Sequence, residues 1–178
     1  MELNTLYINI QIKKGKLNEF FVAKPMTTGI DDNWKQWWDS CEMYNKTELK
    51  NIPTYTKENN RNVIDDLLRD SFFCSTEQYD DKKQQWGFTS LNFSENYYEI
   101  LPMLAFLKQL GLYTESGYAL IYDWMWGDEA VMAFVEFRKG QAWLEPITTH
   151  AQIAPKILDE ANRYLQEVSE SFYKKGQD

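Results

Sequence analysis

Gly117-Tyr118-Ala119-Leu120-Ile121-Tyr122-Asp123-Trp124-Met125-Trp126 decides the fold class of this chain. Tyr118, Leu120, Tyr122, Trp124 and Trp126 alternate onto one face. Ala119, Ile121 and Met125 make the other face apolar as well, interrupted by Asp123. A period of two marks a strand, and apolar residues on both faces mark one that is central in its sheet. Gly127-Asp128-Glu129 then turns the chain, 130–137 returns, Lys139-Gly140 turns again, and 141–147 supplies a third strand. Strands joined by such short turns form an antiparallel meander.

Moving towards the N-terminus, 84–93 reads as extended, with Trp86 and Phe88 on one face and Leu91 and Phe93 on the other. Residues 3–12 alternate Leu6, Ile8, Ile10 and Ile12 onto one face. After Lys13-Lys14-Gly15-Lys16, 17–23 reads as the returning strand of a hairpin. Trp34, Trp37, Trp38 and Cys41 fall at i, i+3, i+4 and i+7, which puts them on one face of a helix reaching Tyr44. Asp31 or Asp32 caps it, and rings at that spacing are core before they are binding surface. The polar stretch 45–60 contains Pro53 and reads as a loop. A second helix covers 61–73, with Val63, Ile64, Leu67, Leu68 and Phe72 inward.

A third helix begins at Ser94 or Asn96, where Asn96 and Glu99 have capping-box spacing. Pro102 is tolerated only near that helix's first turns, and Gly111 closes it in a left-handed conformation. Thr148 or Thr149 caps a last helix, with Pro155 in its first turn. Ile153, Ile157, Leu158, Ala161, Leu165, Val168 and Phe172 are its apolar stripe. The order β-β-α-α-β-α-β-β-β-α predicts one α+β domain over 1–178, a mostly antiparallel sheet with its helices packed on one face.

Composition supports a well-filled core. Aromatic rings make up 16% of the 178 residues and include 7 tryptophans, so no disulfide or metal staple is needed. The net charge of −8 disfavours direct binding to nucleic acid or to an anionic membrane, and favours a basic partner. Cys41 and Cys74 stand alone, without a CxxC. Met1-Glu2-Leu3-Asn4 lacks the basic run of a secretory signal, and the apolar stretch 100–107 is far short of the ~20 residues of a membrane helix. A cytoplasmic setting is expected.

Catalytic signatures are few. His150 is the single histidine and falls at an ordinary helix start, and the donors for a zinc site are too few. Phosphate-cradling glycine loops and calcium loops do not occur. We therefore expect no cofactor, no metal and no catalytic residue. The acid pairs Asp31-Asp32, Asp65-Asp66, Asp80-Asp81 and Asp128-Glu129 read first as caps and solvated charge. Their second reading is a negative patch aimed at a basic protein. At 122–129, large aromatics stand beside acids. Trp and Tyr at such a tip pair across strands, or serve as interface anchors. The candidate partner contacts are Asp123, Trp124, Trp126, Asp128 and Glu129, with Asp31, Asp32 and Asp39 as a second group.

The second half also carries a resemblance. Leu104, Phe106, Leu107 and Leu110 lie on a leucine-rich helix, followed by Ser116-Gly117-Tyr118-Ala119-Leu120-Ile121-Tyr122-Asp123. Phe134-Val135-Glu136-Phe137-Arg138-Lys139-Gly140 then leads to Leu144-Glu145. This order resembles a family of bacterial polymorphic-toxin immunity proteins, with its "GSYGLLY"-like strand, acidic hairpin tip and strand ending in "RRGxLxE". Residues 86–96 are similar in place to the strand and turn that precede these. The first half has no such counterpart. The resemblance implies a cytosolic antidote that binds one cognate toxin, often a nuclease and hence basic, and blocks it by occlusion. The alternatives are a phage- or plasmid-encoded inhibitor of a host defence enzyme, a scaffold protein, and a small enzyme using acids and tyrosines such as Asp123 with Tyr122.

Overall fold

A computed structural model describes residues 3–177. Met1 and Glu2, on which the absence of a secretory signal was partly read, lie outside the described residues. Six strands form one antiparallel sheet: β1 (Asn4–Gln11), β2 (Ser75–Asp80), β3 (Gln85–Ser94), β4 (Ser116–Tyr122), β5 (Val131–Arg138) and β6 (Gln141–Glu145), in the spatial order β2-β3-β1-β4-β5-β6. The α+β class and the β4-β5-β6 meander stand as read, and β4 is internal to the sheet.

The stretch 17–23 is not a strand. Lys14–Val22 form a helix, α1, which buries Leu17, Phe20 and Phe21 at helical spacing. A hairpin partner for β1 has no place there, because β3 and β4 already pair with its two edges. Helix α2 (Asp32–Ser40) buries Trp34, Trp37 and Trp38, and Asp31 caps it by accepting from the Trp34 amide at 3.0 Å. Helix α3 spans Asn60–Arg69 and is shorter than expected. Asp70 ends it by capping a 3₁₀ turn, Ser71–Phe73, which leaves Phe72 54% exposed rather than inward.

Helix α4 (Tyr97–Gly111) is capped by the Asn96 side chain, which accepts from the Tyr98 amide at 2.9 Å. The expected capping box is not closed, because the Glu99 carboxylate takes the Ser94 hydroxyl instead. Gly111 does not adopt a left-handed conformation, and its role is proximity. A Cβ there would sit 2.5 Å from the Ala142 amide nitrogen of β6.

The sheet is covered on both faces, which amends the expectation of helices on one. Leu6, Ile8, Ile10, Trp86, Phe88, Ala119, Ile121, Val135 and Phe137 face the side buried by α1 to α4. Tyr7, Leu91, Leu120, Tyr122 and Phe134 face the other side, where α5 (Pro155–Lys175) lays down Ala161, Leu165 and Val168. Pro155 opens α5 where its missing N–H costs nothing, and Thr149 caps the 3₁₀ turn His150–Gln152 just before.

Candidate functional site

β4 ends at Tyr122, so Trp124 and Trp126 do not continue its face. The cause is Asp123. Its side chain turns inward and is 5% exposed. One carboxylate oxygen accepts from the Trp126 amide at 2.7 Å and the other from the Asp128 amide at 2.5 Å. A short acid that bonds the backbone ahead of it replaces the strand ladder with a tight loop. Gly127 (φ 89°) and Glu129 (φ 56°) supply the left-handed residues that the loop needs. The base is closed by the Asp123 amide on the Ala130 carbonyl at 2.8 Å, and by the His150 amide on the Glu129 carbonyl at 3.0 Å.

The loop thus sorts its candidates. Trp124 is half-buried against the α5 core. Trp126 is 54% exposed, and Met125, which the sequence reading did not single out, is 42% exposed. Asp128 and Glu129 are exposed beside them. Asp123 was expected to touch a partner. Instead it holds the loop that presents Trp126. Its hydrogen-bond partners do not include Tyr122 either. The Tyr122 hydroxyl is buried, donates to Asn162 Oδ1 at 2.7 Å, and is pushed far above its ordinary value by that burial.

Asp31, Asp32 and Asp39 are exposed on α2. Asn33, at the start of α2, pairs with both backbone groups of Leu144, giving to its carbonyl at 2.8 Å and taking from its amide at 3.0 Å. The Trp37 indole reaches the Met132 carbonyl at 3.3 Å. Leu144 lies opposite Val135, so Met132 is closer to the β4–β5 loop. Helix α2 therefore runs towards that loop, with Asp39 at the near end and Asp31-Asp32 at the far end. The structure does not bring the two groups into one cluster.

A polar groove lies between α5 and strands β1, β2 and β3, with a cavity volume of about 510 Å³. Asn9, Gln78 and Gln85 line its floor, and Glu160, Arg163, Tyr164 and Glu167 line the α5 wall. Burial raises the Tyr7 hydroxyl at its edge to about 12. None of the candidate partner contacts lies in this groove, although Asp80 of the acid pair Asp80-Asp81 lines it. Its helical wall could have been found from the i, i+3, i+4, i+7 spacing of Glu160, Arg163, Tyr164 and Glu167. The single histidine, His150, packs its ring against Tyr122 at a tilt of 59° with centroids 5.4 Å apart, and its buried Nε2 has no partner.

Among the described residues, no cluster of three or more His, Cys, Asp or Glu side chains is placed to hold a metal ion. Among these residues no helix is long and apolar enough to cross a membrane. Fold and site together define an α+β domain carrying a fixed aromatic and acidic loop at one end of its sheet. No family model matches the chain, and neither a curated protein nor a solved structure matches it significantly.

Proposed function

We propose that this chain is a cytoplasmic, toxin-neutralising immunity protein that binds and occludes a cognate basic effector through the 123–130 loop. The observation that carries the proposal is Trp126. It is a large ring 54% exposed on a loop whose backbone is fixed by Asp123, with Asp128 and Glu129 exposed next to it. Exposed Trp anchors carry a large share of interface energy, and a fixed loop loses little entropy when it docks. Acids around the anchor steer a basic partner and speed association at low salt. The net charge of −8 acts in the same direction over longer range. The resemblance of the 101–145 region to polymorphic-toxin immunity proteins supplies the biological setting.

Co-expression with any effector encoded beside this gene tests the proposal. The wild-type chain should restore growth and co-purify with the effector. Trp126→Ala should weaken the complex by about 2 kcal/mol, roughly thirtyfold in Kd. Asp128→Asn with Glu129→Gln should slow association mainly at low salt. Failure of the wild-type chain to protect cells or to bind the effector would overturn the proposal.

A further inference from the structure

The chain between α2 and α3 contains no helix or strand from Cys41 to Asn59, yet it is held down along its length. Loops this long without regular structure are uncommon in a compact domain and are often functional. Ile52 is buried, and Tyr55 sets its ring edge against Phe106 with centroids 6.4 Å apart. The Trp38 indole donates to the Thr47 carbonyl at 2.9 Å, and Lys46 donates to the Cys41 carbonyl at 3.0 Å.

Between this loop and the start of α4 lies a hollow of about 640 Å³. Trp38, Met43, Leu49, Pro53, Tyr97 and Leu101 give it an apolar lining. That volume falls within the roughly 300–1,000 Å³ of ordinary ligand sites. Its rim carries the exposed acids Glu48 and Glu95, against one cation, Lys50. Tyr98 stands on the rim 80% exposed. Its carbonyl lacks the usual helical donor, because the residue four places on is Pro102, which has no N–H.

The hollow and the Trp126 loop share one end of the molecule. β1 begins opposite both the end of β3 (Asn4 with Ser94) and the end of β4 (Thr5 with Tyr122). Helix α4 starts just after the first of these and the loop just after the second. The Tyr97 hydroxyl also lies 3.9 Å from Met132 Sδ, at the start of β5. Exposed on this end are Asp39, Glu42, Glu48, Glu95, Asp128 and Glu129, which outnumber Lys46 and Lys50.

We infer that the hollow is a second anchor site that receives a large apolar side chain, flanked by lysine or arginine, from an extended segment of the partner protein. The inference rests on the proposed binding of a basic effector through the same end. The apolar lining takes the side chain, and Glu48 and Glu95 take its basic neighbours. Fixed walls on both sides mean that the hollow exists before the partner arrives.

The test uses the full chain and two blocked pentapeptides, one alternating lysine and leucine around a central tryptophan, the other with glutamate in place of lysine. Backbone amide shifts should move at Glu48, Leu49, Tyr97 and Tyr98 with the basic peptide and not with the acidic one. Glu48→Lys with Glu95→Lys should weaken that binding at least tenfold, and Tyr98→Ala several-fold, both at exposed positions where folding is spared. Equal binding of the two peptides, shifts centred elsewhere, or no saturable shift would overturn the inference. The effector separates this outcome from the broader proposal. If the Glu48→Lys, Glu95→Lys chain binds it as tightly as wild type while Trp126→Ala does not, the loop reading stands and the second anchor falls. If the basic peptide fills the hollow but the effector does not bind, the reverse holds.

Discussion

Asp123 places both carboxylate oxygens on amides of the loop that follows it. Replacing it by alanine leaves the Trp126 and Asp128 amides without these acceptors. That should cost about 1–3 kcal/mol of stability, read in urea unfolding. The loss should appear with faster amide exchange at residues 126 and 128. Unchanged exchange there would mean that the loop holds itself. In the sequence, Asp123 stood between two large rings and looked like a contact. A carboxylate that caps a loop and one that meets a partner are the same letter, and only the backbone path distinguishes them. Asp31 was read as both cap and contact, and the cap is what the geometry displays. Gly111 shows a similar ambiguity. Glycine serves a left-handed turn or a close approach equally well, and here α4 lies against β6 where a Cβ would not fit.

At the scale of elements, strong periodicity was legible and polar or short elements were not. The Trp34, Trp37 and Trp38 stripe and the Ile153 to Phe172 stripe both pack as their spacing required. β2 escaped notice because Ser75–Asp80 has almost no apolar residue to alternate; it lies at the sheet edge. Its inward side is held by charge. Arg61 meets Glu77 through two bonds of 2.7 and 2.6 Å and lies over the Phe21 ring at 4.6 Å. Glu77 also accepts from the Trp86 indole at 2.9 Å. Burial pushes the Glu77 carboxyl up, but the bonds from Arg61 and Trp86 outweigh it and leave it below its ordinary value. A lowered folded-state value means that the ionised form is the one folding favours. Its stabilising contribution is therefore full above the unfolded value of about 4.3 and is lost as pH falls through the lower folded value. Unfolding midpoints measured from pH 6 down to pH 2 should decline for wild type, and Glu77→Gln should start lower and decline less. Parallel curves for the two would contradict this role. The other sheet edge is closed by α2, where the Asn33 amide pairs with Leu144 as a peptide group of a seventh strand would.

For the whole molecule, the acidic excess read from composition acquires a direction once the fold is known. Topology brings the 123–130 loop, the near end of α2, the long 41–59 segment and the start of α4 to the same end of the sheet. Sequence gave no means of joining these segments, which are far apart along the chain and are united only by the strand order. Of the two tryptophans read as partner contacts, Trp124 is half-buried against the α5 core. Trp34, Trp37 and Trp86 are sealed in the core, and Trp126 is the exposed tryptophan among the described residues. The account therefore comes down to where an effector touches. Hydrogen exchange of the chain, alone and saturated with the proposed effector, measures this directly. Slowed exchange should concentrate at 124–130, and at 43–53 and 95–98 if the second anchor is occupied. Protection confined to the α5 groove, around Asn9, Gln78 and Glu160, would contradict the account.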